Sequence, residues 1–115
     1  MNKKIIAENI DFADSEYKSF HMSEEAVLTV YLKSWDAKLL IITFTHVIQF
    51  SYQLGSDPSN LFEIEDSPVL KSILVEAYGG IPNNNPFKLF IIEDIDKFPF
   101  IQVVAESVTV IKDRS

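Results

Sequence analysis

The chain has 115 residues, of which 47% are hydrophobic, and it carries 17 acidic against 10 basic residues for a net charge of −7, with no cysteine. A chain this long buries a core without staples. The missing cysteines exclude disulfides, thiolate nucleophiles and cysteine-based zinc sites. The acidic balance excludes the basic footprint that nucleic-acid binding needs to displace counterions.

The start, "MNKKIIAENIDF", is interrupted by Glu8 and Asp11 and does not read as a secretory leader. It alternates as a strand, with Ile6, Glu8, Ile10 and Phe12 on one side. The polar "ADSEYKSFHMSEE" reads as a loop or an irregular strand. "AVLTVYLKSW" sets Leu28, Val30 and Leu32 against Thr29, Tyr31 and Lys33, the period of two of a half-buried strand. "SWDAK" is a turn.

From Leu39 to Leu54, alternate positions are almost all apolar: Leu40, Ile42, Phe44, Ile48, Phe50 and Tyr52, with His46 among them. The run is too polar at every second residue for a membrane helix and too long for one ordinary strand. A bend or break is expected near His46 to Gln49. "LGSDPSNLFEIED" reads as a turn-rich connection. "DSPVLKSILVEAYGG" predicts the one main helix, about 67–78. Ser67 is its cap, Pro68 its first residue, and Leu70, Ile73, Leu74 and Ala77 its apolar stripe, with Gly79 ending it. "FKLFIIEDI" and "FIQVVAESVTVIK" predict two strands joined at "DKFP", the second bulged near Ala105 to Ser107.

The expected architecture is a single α+β domain over residues 1–115. Its antiparallel, strongly curled β-sheet has about five or six strands, with the helix packed on one face. One short helix cannot cover so wide a sheet, which is why curling is expected, or a face left for a partner or a second chain.

Chemistry-bearing residues are sparse. Glu93, Asp94 and Asp96 lie together in "EDID". Two carboxylates two residues apart on one strand face could hold a hard cation or share a proton. A position beside a turn favours the other reading, a solvated hairpin end in which aspartate accepts local backbone hydrogen bonds. His21 and His46 are the only histidines, and His46 reads as a satisfied or partly buried ring. No serine has nucleophile-elbow glycines. Three glycines, at 55, 79 and 80, make no phosphate loop. Tyr31, Trp35 and Tyr52 either pack under the N-terminal segment or stand exposed as interface anchors.

The stretch from Asp57 to Asp96 holds eight acids and two lysines, and so accounts for −6 of the net −7. Glu63, Glu65, Asp66, Glu93, Asp94 and Asp96, with Trp35, are the candidate partner-binding residues. They would form an acidic surface that steers a basic protein.

In size, pattern and charge, the segments "LTVYLKSWDAKLLIITFTHVIQF", "EDSPVL" and "LFIIEDIDKFPFIQVVAESV" resemble small acidic bacterial proteins of the immunity type, encoded beside polymorphic toxins. The resemblance implies a non-enzymatic inhibitor that binds a basic partner protein, without cofactor or metal; the charge, the missing cysteines and the broken apolar run are read separately as a cytoplasmic chain that binds neither nucleic acid nor membrane. Two other readings stand beside it. One is a homo-oligomeric structural domain. The other is a small metal-dependent hydrolase using Asp94, Asp96 and His46.

Overall fold

A computed structural model describes residues 2–6, 12, 15–53, 57–65, 67–80, 85–97 and 99–112. In chain order the elements are β1 (Asn2–Ile5), β2 (Glu16–Met22), β3 (Leu28–Lys33), β4 (Leu39–Thr45), β5 (Gln49–Tyr52), β6 (Pro58–Glu65), α1 (Pro68–Tyr78), β7 (Lys88–Asp94), β8 (Pro99–Ala105) and β9 (Ser107–Lys112). They form two antiparallel sheets, one ordered β1-β6-β7-β8-β5 and the other β2-β3-β4-β9.

The alternation in β3 and β4 places Leu28, Val30 and Leu32 opposite Phe44, Ile42 and Leu40, all with no exposed surface. Across the gap they meet Leu61, Phe90, Ile92, Ile101 and Val103 of the five-stranded sheet. Apolar burial between the two sheets is the main core, at a scale of about 1.5–3 kcal/mol per large side chain. A second, smaller cluster lies on the outer face of the five-stranded sheet. There Leu70 and Leu74 of α1 pack on Ile64, Leu89, Ile91 and Val104.

The helix forms where the sequence placed it. The Ser67 side chain accepts hydrogen bonds from the Val69 and Leu70 N–H groups at 3.1 and 3.4 Å. Gly79 ends it in the left-handed region at φ 72° and donates to the Val75 carbonyl.

The long strand breaks where expected. The β4–β9 ladder runs from Leu40↔Lys112 to Thr45↔Ser107, and the β5–β8 ladder resumes at Gln49↔Val104. Between them His46 takes φ 52°, the Ile48 N–H donates to the Val104 carbonyl, and the Glu106 N–H donates to the Thr45 carbonyl. One two-stranded ribbon thus passes from one sheet into the other.

Two expectations are corrected. The single, strongly curled sheet of five or six strands is instead two facing sheets with nine strands among the described residues. The physical reason is that each sheet covers the inner face of the other, so no curl is needed and the helix covers only an outer face. "LGSDPSNLFEIED" is not mere connection: residues 58 to 65 form β6, which pairs with both β1 and β7. Pro58 is tolerated because it is the first residue of the strand, and the register shifts between Pro58 and Asn60. Of the loop or irregular strand expected for the polar second segment, the structure has the strand, β2, with its irregularity between Tyr17 and Ser19. The first strand ends at Ile5, and Glu8 and Ile10 lie outside the described residues.

Candidate functional site

The "EDID" carboxylates build a turn. In the β7–β8 hairpin the Asp94 Oδ1 accepts the Asp96 N–H at 2.9 Å, and the Asp94 carbonyl accepts the Lys97 N–H at 3.0 Å. The Ser59 hydroxyl reaches the carbonyls of Asp94 and Glu93 at 2.9 and 3.2 Å, tying β6 to the hairpin. Lys97 closes the turn at φ 63°. The local backbone role expected for aspartate is present, but the hairpin end is not simply solvated. Asp94 is 2% and Glu93 8% exposed, and only Asp96 of the three faces water.

Glu63 is also buried, at 7%, because it lies opposite Phe90 on the inward face. The Lys88 ammonium approaches it at 3.8 Å. Three of the six acids assigned to a partner-binding surface therefore lie inside, where they cannot meet a partner. Glu65 ends β6, and Asp66 lies outside the described residues.

Trp35 is 64% exposed, in the turn between β3 and β4. Ala37 adopts φ 65° there, and the buried Ser34 hydroxyl donates to Asp36. Asp36 also meets Lys112 of β9 at 2.9 Å. The Ser34 bond first, and the Lys112 ammonium with it, lower the Asp36 pKa from 3.8 to about 2. Trp35 and Asp96 thus stand on turns of different sheets, and the predicted residues do not converge on one site.

The histidines are separate as well. His21 is exposed on β2, and His46 is exposed at the ribbon crossing, where its Nδ1 meets the Glu106 carboxylate. Of the satisfied or partly buried ring expected at His46, the first alternative is present: the ring is exposed rather than buried, and Glu106 partners it. Among the described residues no group of three His, Cys, Asp or Glu side chains could hold a metal ion.

What the structure does assemble is a small cleft of about 90 Å3 beside α1, open to solvent. Val69 and Ile73 of the helix form one wall. Leu89 and Val104 lie at its base, and Gln49 and Ser51 of β5 with Gln102 of β8 supply polar groups. The registers Gln49↔Val104 and Ser51↔Gln102 put these side chains on the same outer face, next to the docked helix. β5 is an edge strand of the described sheet.

The opposite face of β5 is held by rings. Phe20 of β2 packs on Phe50 and Tyr52 at centroid distances of 5.4 and 5.7 Å. Tyr17 packs on Tyr52 at 5.2 Å. Burial, and then the neighbouring Tyr52, pushes the Tyr17 hydroxyl above its usual pKa. Tyr52 therefore belongs to the seam between the two sheets, under the N-terminal β2, and is not a free anchor.

Sequence reasoning did not single out Gln49, Ser51 and Gln102. The signal was present as the polar alternate positions of the β5 and β8 runs, but which helix would face them is not a local property. Comparison of the chain with protein families, with characterised proteins and with solved structures finds no match.

Proposed function

We propose that the chain is a non-enzymatic protein-binding module that recognises a segment of a partner protein in the cleft between α1 and β5. The supporting observation is the construction of that cleft: a helix wall of Val69 and Ile73 facing the polar side chains of an edge strand. At about 90 Å3 the cleft is well below the range typical of small-molecule sites, about 300–1,000 Å3, and suits a single partner side chain. Its lining holds one hydroxyl, that of Ser51, beside glutamines and apolar side chains, with no titratable side chain among them to activate it.

The inhibitor role implied by the immunity-type resemblance fits such a module if the partner is basic. The net charge of −7 would then speed and orient encounter. The acidic face that does this would use exposed carboxylates such as Asp57, Glu76 and Asp96 rather than Glu63, Glu93 and Asp94.

The test is selection from a displayed library of random ten-residue peptides with the folded chain as bait. Enriched peptides should lose binding to Val69→Lys and Ile73→Lys variants while keeping it to a Trp35→Ala variant. Peptides that depend on Trp35 and ignore both helix substitutions would reject the cleft.

A further inference from the structure

We infer that the partner segment enters as an extended strand that pairs with the side of β5 facing away from β8 and lays a lysine or arginine side chain across the cleft toward Glu76, an inference that rests on the cleft being the recognition surface. The backbone pattern of β5 argues for the strand. The Gln53 N–H donates to the Phe100 carbonyl at 2.8 Å, and Ser51 and Gln49 follow in register with Gln102 and Val104. Antiparallel ladders alternate, so Gln49, Ser51 and Gln53 direct their N–H and C=O groups to β8, while those of Phe50 and Tyr52 point away from it. Among the described residues no strand pairs with that side. The rings of Phe50 and Tyr52 are already fixed by Tyr17, Phe20 and Phe100, so this edge loses little freedom on pairing. Strand addition to such an edge takes affinity from main-chain bonds and specificity from alternate side chains.

The cleft selects among those side chains. An added strand lies about 4.8 Å from β5, so a side chain on its outer face must cross Gln49 and Ser51 to reach the helix. Lysine and arginine have that reach, and their stems favour apolar walls while their heads seek charge. Val69 and Ile73 supply the wall. At 3.6 residues per turn, Glu76 lies on the same helix face about one turn beyond Ile73, whereas Lys71 projects from the far side. Glu76 is exposed and carries the charge complementary to a basic side chain.

The experiment uses the displayed peptides. Those enriched on the chain are expected to share one lysine or arginine, and their binding is measured by calorimetry with single backbone N-methyl groups placed along each peptide. Blocking every second amide should weaken binding about 2–10-fold each, the loss of one hydrogen bond, while the amides between them tolerate the change. Glu76→Lys should weaken binding more than Glu76→Gln, which should cost about 2–5-fold as expected of an exposed pair. Peptides sensitive to Val69→Lys but indifferent to N-methylation at all positions would overturn strand pairing and leave the cleft as the site. Peptides indifferent to Val69→Lys and Ile73→Lys would overturn the cleft reading itself. Concentration-dependent dimers that peptide dissolves would make a second copy the occupant and overturn the inference.

Discussion

Leu74→Ala tests whether α1 is held by the sheet beneath it. Leu74 is 1% exposed and sits in the cluster of Leu70, Ile64, Leu89, Ile91 and Val104. Removing three carbons at about 0.8 kcal/mol each gives about 2.4 kcal/mol of lost transfer energy. The cavity left under a docked helix adds to this, so about 3–4 kcal/mol is expected, within the range for buried leucines. An isolated helix of 11 residues is marginal in water. Part of the loss should therefore appear as undocking of α1 while the inter-sheet core persists. Urea unfolding followed by far-UV circular dichroism gives the total. Amide exchange gives its location, with α1 exchanging faster than β3 and β4. Val75→Ala, at a half-exposed position of the same helix, is the control and should cost under about 0.5 kcal/mol. A Leu74→Ala cost as small as the control's would refute the docking argument, and with it the rigid wall that Val69 and Ile73 give the cleft.

The helix ends make a paired prediction: Ser67→Ala should cost about 1 kcal/mol by removing the cap. Gly79→Ala should cost a similar ~1 kcal/mol through its φ of 72° alone, because no atom lies within 4 Å of the added carbon; both are read as shifts in the urea midpoint. Asp36 has a folded pKa lowered from 3.8 to about 2, so its contribution is present above 3.8 and is lost as pH falls toward 2. Asp36→Asn should therefore flatten that acid limb of the stability profile in thermal melts, and an unchanged limb would contradict the Ser34 and Lys112 contacts. At His46, φ 52° favours glycine, while the exposed pair with Glu106 favours histidine. These terms are each about 1 kcal/mol, so His46→Gly should nearly match the parent in Tm and the β-branched His46→Val should fall well below both.

Much of this architecture was legible because its cause is local. The Leu28 to Lys33 alternation, the Ser67 and Pro68 start, the Gly79 stop and the break near His46 each follow from side-chain period, capping or positive φ. Segments governed by distant partners were not legible. β6 carries Pro58, Glu63 and Glu65, which locally suggest a connection; its pairing with β1 and β7 overrides them. Glu63 is buried because Phe90 stands opposite it, a fact with no trace in its neighbours. The same holds for Asp94, whose turn role was readable but whose burial depends on Pro58 and Ser59 of another strand.

The sequence by itself determined an acidic, cysteine-free chain of short strands with one capped helix, because charge, composition and hydrophobic period are properties of neighbouring residues. Tertiary structure decided that the strands form two facing sheets, that half of the suspected acidic face lies inside, and that Gln49, Ser51 and Gln102 share a cleft with Val69 and Ile73. The physical reason is that burial and convergence depend on which strand faces which, and that choice is made by inter-sheet packing between residues far apart in the chain.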